Sequence, residues 1–173
     1  QEAPPAIITM YCGENMEAHI DSIIAGGKLT GYGDEDREMD ARAITGGPIA
    51  TRGEARTRPS PFPICGHRFE FRACGSSQNI AFPLAMVNTA MADGCKILCE
   101  KIEGGMSVRD AVASVFQESR NALFSGNGYD PNWPKVATEE RGLANLVTTP
   151  DAIDVFVSDK NKALFSEMAV FTH

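Results

Sequence analysis

The run Arg68-Phe69-Glu70-Phe71-Arg72 carries the densest chemistry in the chain. Charged and aromatic residues alternate, so an extended segment puts both rings on one face and all three charges on the other. A strand rises about 3.3 Å per residue, which sets neighbouring charges about 6.5–7 Å apart in a single row. Two guanidinium groups around a carboxylate, on a rigid element, suit a polyanion and its metal. Glu70 offers oxygen to a hard cation such as Mg2+. Arg68 and Arg72 can fork onto phosphate or carboxylate. The same pattern also fits a solvated sheet face with cross-strand ion pairs, each of small energetic weight.

Other candidates are sparser. Arg52, Arg56 and Arg58 form a small basic cluster that could approach an anion or simply stand in water. Glu2 precedes Pro4-Pro5 and so sits on an extended segment. Gly126-Asn127-Gly128 lacks the lysine and spacing of a phosphate loop and reads as a turn. The five cysteines (12, 65, 74, 95 and 99) include no Cys-x-x-Cys, which argues for reduced thiols rather than a disulfide framework. Cys95 and Cys99 lie four apart on an apparent helix, and His19, His67 and His173 are scattered. That set allows zinc on paper, but small buried hydrophobes are the simpler reading.

These residues need elements to hold them. Ala6–Cys12 is β-rich and follows two prolines, which suits the start of a strand. Asn15–Ala25 reads as a helix with Met16, Ile20, Ile23 and Ile24 on one face, stopped by Gly26-Gly27. Residues 28–61 show no period and read as a long loop, functional or inserted. His67–Ala73 reads as the clearest strand. Residues 80–173 read as mostly helical. Within them a long apolar helix spans about Pro83–Ile102 and is expected to be largely buried. Ser107 and Asp110 form a capping box for a helix through about Leu123, with Val108, Ala111, Val112, Val115 and Phe116 as its core stripe. Asp130-Pro131 opens another helix to about Arg141, and Thr149-Pro150 and Ser158 cap two short terminal ones.

The whole is 173 residues, room for one domain with a single core. Its 16 basic and 23 acidic side chains give a net charge of -7, which argues against nucleic-acid binding. No apolar run is long enough to cross a membrane, and no targeting segment is evident at Gln1. The chain opens inside apparent core sequence, so it reads as part of something larger.

Three stretches resemble the type III branch of glutamine synthetase. Gln1-Glu2-Ala3-Pro4-Pro5-Ala6-Ile7-Ile8 is similar to that branch's Asn-Glu-Ala-Pro-Pro-Ala-Ile signature. Arg58-Pro59-Ser60-Pro61-Phe62, with Arg68 through Gln78, resembles its Arg-Thr-Ser-Pro-Phe and Phe-Glu-Phe-Arg-Ala-Val-Gly-Ser-Ser-Gln block. Gly126-Asn127-Gly128-Tyr129, Arg141 through Leu146 and Thr148-Thr149-Pro150 resemble its downstream helical part. Cys74 stands where that branch has valine, Arg68 where it often has lysine, and Pro59 for a threonine.

The resemblance implies an α+β fold in which residues 1–173 are part of one catalytic domain. Antiparallel strands would form the floor of the site, with a helix-rich C-terminal part behind. It implies ATP-dependent ligation of ammonia to the γ-carboxylate of glutamate through γ-glutamyl phosphate, with Mg2+ or Mn2+. A γ-glutamyl ligase for another amine and a non-catalytic scaffold homologue are the alternatives. By this resemblance Glu70 is a metal ligand near the ATP phosphates. Arg72 contacts glutamate and the transferring phosphoryl group, and Arg58 contacts ATP phosphates and the intermediate. Arg68 lies near the nucleotide. Glu2 sits on a flap that closes the site and helps deprotonate ammonium. A ring-shaped homo-oligomer with sites between subunits, and a cytoplasmic or organellar location, are the further expectations. Other metal ligands would precede Gln1, so the piece alone is expected to be inactive.

Overall fold

Three of the helices end where the chain turns left-handed. α1 (Glu14–Ile24) closes with Gly26 at φ 73°, whose N–H donates to the Ile23 carbonyl while Gly27 donates to Ser22. That paired arrangement satisfies carbonyls the last turn leaves free. The computed structural model describes residues 7–27, 37–39, 49–51, 61–64, 68–72 and 77–170. In chain order these hold β1 (Met10–Tyr11), α1, β2 (Arg37–Met39), β3 (Ile49–Thr51), β4 (Phe62–Pro63), α2 (Ala81–Glu103) and α3 (Val108–Glu118). A 3-10 turn (Arg120–Ala122) follows, then α4 (Trp133–Lys135) running into a π turn (Val136–Glu140), α5 (Thr149–Phe156) and α6 (Asp159–Glu167).

The caps follow the local chemistry. Ser107 Oγ accepts from the Asp110 N–H at 3.1 Å and donates to the Asp110 carboxylate at 2.7 Å, so the expected box starts α3. α5 is capped by Thr148, one residue earlier than expected, leaving Thr149 and Pro150 inside the first turn. Proline is tolerated there because those N–H groups have no helical partner. Ser158 holds the cap position of α6 but makes no capping hydrogen bond through its side chain.

The strands differ from expectation. β1 is only two residues long and pairs in parallel with β4, Met10 opposite Phe62 and Tyr11 opposite Pro63. On its other side Met10 bridges Leu123, also in parallel. The expected antiparallel floor is therefore corrected: the described residues are helix-rich with a small parallel pair. Among the described residues, antiparallel pairing is confined to the β2–β3 ribbon, which lies in the stretch read as a loop, and to one bridge between Ile64 and Phe69.

Two hydrophobic clusters flank β1. One gathers Ile7, Trp133 and Ala137 with Phe124, Val136 and Leu143. The other gathers Cys12, Ile20 and Leu123 with Met10, Met16, Ile24, Ile64 and Phe116. The stripes read on α1 and α3 thus face one another, with Ile20 and Phe116 in the same cluster, except that Val108, read as part of the α3 stripe, is exposed at the start of that helix. α2 is the exception. It is apolar around much of its circumference, yet Thr89 is its one buried residue and Leu84, Met91 and Ile97 are exposed. Among the described residues, α3, the Phe156 ring of α5 against Phe82 and one ion pair from α6 are too little to cover a helix of this length. Cys12 is buried as expected of a small hydrophobe, whereas Cys95 and Cys99 on α2 are exposed, against expectation.

Candidate functional site

The charged row lies beside β4, and prolines decide how. The Glu70 N–H donates to the Pro63 carbonyl at 3.0 Å and the Arg72 N–H to the Pro61 carbonyl at 2.7 Å. Neither proline has an N–H to return, so the ladder is one-sided. This is why the segment expected as a strand over His67–Ala73 keeps its extended pairing but forms only the single bridge at Phe69. Below it, Phe62 stacks on Phe69 with ring centroids 5.4 Å apart and meets Phe71 edge-on at 6.3 Å. The rings fix the segment's aromatic side and leave the charges on the other.

Those three charges converge. Arg68 Nη2 donates to Glu70 Oε1 at 3.0 Å. Arg72 donates to Glu70 Oε2 twice, from Nε at 2.8 Å and from Nη2 at 2.5 Å. Each carboxylate oxygen is thus held by its own guanidinium. The Arg72 contacts, then the Arg68 contact, pull the Glu70 carboxyl below the usual glutamate range. That direction favours the ionised form, the form in which a carboxylate serves as an oxygen ligand for a hard cation. With two positive groups around one negative, the cluster keeps a net positive charge and suits an anion. All three side chains are partly open to solvent, so the pairs contribute little to stability. Their value lies in placing charge.

Of the residues singled out in the sequence, Arg68, Glu70 and Arg72 are brought together. Glu2, Arg58, Arg52 and Arg56 lie outside the described residues, as do Cys65, Cys74, His67 and His173. Among the described residues no three His, Cys, Asp or Glu side chains gather as a metal cage, so Glu70 is a single metal-competent carboxylate here.

The Pro61-Phe62-Pro63 segment is the part that sequence reading missed. Two prolines within three residues argue against a strand, yet their carbonyls and the ring between them hold the row. Arg120 was also passed over. It donates from Nε to Asp21 at 2.7 Å and from Nη2 to Glu17 at 3.1 Å, joining the turn after α3 to α1. Arg141 lies over the stacked Phe124 and Trp133 rings, 5.2 and 5.6 Å from their centroids, and donates to the Leu123 carbonyl at 2.6 Å. Both clamps flank the Leu123–Phe124 edge, whose own bond to β1 is the Phe124 N–H donating to the Met10 carbonyl at 3.0 Å.

Residues 107–173 match the glutamine synthetase C-terminal domain family. The chain is 36% identical to the type-3 glutamine synthetase of Dictyostelium discoideum, over 99% of its own length and 24% of the relative's. It is 31% identical to a glutamine synthetase of Bacteroides fragilis, over 98% of its length and 24% of the relative's. Along nearly its whole length the chain is similar to glutamine synthetases. A third relative, the glutamine synthetase of Butyrivibrio fibrisolvens, is 28% identical over 99% of the chain and 25% of its own length. The chain thus spans about a quarter of the length of the glutamine synthetases it matches. Both the charged row and the helical stretch from α3 to α6 fall inside the aligned region.

Proposed function

We propose that the protein containing this chain joins ammonia to the γ-carboxylate of glutamate, spending ATP and passing through γ-glutamyl phosphate. The observation that carries this reading is the Arg68–Glu70–Arg72 cluster, set in a chain whose relatives are named glutamine synthetases.

Phosphoryl transfer leaves little covalent work to the protein, so positioning and charge dominate. Arg72 and Arg68 supply rigidly placed donors for phosphate oxygens. A phosphate arriving at the row competes with Glu70 for the same guanidinium groups, which frees the carboxylate oxygens. Glu70 then fits Mg2+ or Mn2+ as one oxygen ligand, with the remaining ligands outside the described residues. Such a cation, when bound, neutralises charge developing on the phosphates. Arg58 is assigned to the phosphoryl group and Glu2 to the ammonium by resemblance. A carboxylate near ammonium favours its binding by charge and can take its proton. A ring-shaped homo-oligomer with sites between subunits belongs to the same reading.

The test is phosphate release from ATP by the full-length protein, with glutamate and with or without ammonium. Release that requires both substrates, and that is lost in Glu70→Ala, supports the proposal. Release with another amine in place of ammonium would move the protein to a wider class of γ-glutamyl ligase. Silence with every amine would favour the scaffold alternative.

A further inference from the structure

The exposed sulfur on α2 has no part in the chemistry above. Met91, Cys95 and Cys99 follow one another at intervals of four along that helix, and all three are exposed. Residues four apart on a helix stand one above the other, with Cβ atoms about 5–6 Å apart. Two thiols so placed can close on one ion with metal–sulfur bonds of about 2.3 Å. The neighbouring Lys96 is drawn toward Glu100 and Glu167, so an ammonium group is held away from the sulfur stripe.

We propose that Cys95 and Cys99, with the Met91 thioether, form a site for a soft monovalent cation of the Cu(I) class. The donor set selects the ion. Thiolate and thioether are soft ligands, preferred by Cu(I) over hard cations such as Mg2+. A closed zinc site needs four nitrogen, sulfur or carboxylate ligands, and among the described residues no third His, Cys, Asp or Glu joins the two cysteines. Two thiols and one thioether satisfy a cation that accepts two or three ligands. On binding, each thiol gives up its proton to solvent and its sulfur donates the electron pair, so nothing is oxidised or reduced. The site is independent of the proposed ligase activity.

The experiment is an anaerobic competition between the full-length protein and a chromogenic Cu(I) chelator. The wild type is expected to hold one tight Cu(I) that Cys95→Ser/Cys99→Ser does not hold. Each single substitution should weaken that site by about 10²–10⁴-fold, because the second thiol acts at high effective concentration. Met91→Leu should weaken it several-fold, and an unchanged affinity would overturn the three-sulfur arrangement. Register separates chelation from the affinity of isolated thiols. Cys95→Ser combined with Glu103→Cys restores the four-residue spacing from Cys99 and should recover binding to about the level of Met91→Leu, because Met91 then stands eight residues from the nearest thiol. Cys95→Ser combined with Glu100→Cys places the thiols side by side and should not. Equal binding by wild type and the double serine variant, or equal rescue by both registers, would overturn the proposal. Retained helical circular dichroism in each variant excludes unfolding as the cause.

Discussion

Glu70 is held between two arginines on a segment open to solvent, and each neighbour should report on the others. Its side-chain carboxyl should titrate below an ordinary glutamate, followed by NMR of a labelled carboxyl, and Arg72→Ala should move that midpoint upward. The sign follows from linkage. A carboxyl whose folded value is depressed adds stability above the unfolded value, and that contribution fades as pH falls through the folded value. In the full-length protein Arg72→Ala is expected to lower kcat by about 10³-fold or more while leaving the fold intact, the scale of a lost phosphoryl-binding arginine. Cys12 behaves oppositely. Burial foremost, and then the nearby Glu17 charge, push its thiol up to about 11. In the native protein Cys12 should resist alkylation at pH 8 until the chain unfolds, whereas the exposed Cys95 and Cys99 react early. Arg120 also carries weight, because Glu17 is mostly covered. Arg120→Ala should cost about 1–3 kcal/mol in denaturant unfolding by leaving that carboxylate without its cation.

At the scale of elements, helix ends make the clearest prediction. α2 and α6 close in the same way as α1, with Gly105 at φ 99° after α2 and Ala169 at φ 52° after α6. Alanine pays for the left-handed turn that glycine makes freely. Ala169→Gly should therefore raise stability by about 0.5–1 kcal/mol, read as a higher midpoint in thermal unfolding. Much of this level was legible beforehand. The apolar spacing of α1 and α3 and the box at Ser107 followed from local rules, and Ile20 and Phe116 share a cluster as those stripes require. Alternation in 68–72 also placed the rings and charges on opposite faces. What stayed hidden was tertiary. No local rule says that Pro61 and Pro63 will serve as acceptors for Glu70 and Arg72. Nor does one say that β1 will shrink to two residues in a parallel pair. α2 misled for a related reason: its composition specifies an apolar surface, but not which partner covers it.

At the scale of the molecule, the chain holds one charged row and a helical body. Glu2 and Arg58, which the proposed reaction also calls on, lie outside the described residues. Isolated 173-residue chain should release no phosphate from ATP with glutamate and ammonium. Release that needs both substrates would show that the row is sufficient by itself. The apolar side chains exposed on α2 should bind an environment-sensitive dye such as ANS in the isolated chain.

The small strand near the start has a consequence for synthesis. β1 is held by β4 and by Leu123–Phe124, partners roughly fifty and roughly a hundred and ten positions further along the chain. A ribosome adds about 5–20 residues each second, so β1 waits about 5–25 s before its second edge emerges. Through that interval its backbone donors and acceptors and the apolar side chains beside it face water or a chaperone. Nascent chains stalled before Leu123 should be the ones that aggregate, and those stalled well past Arg141 should not.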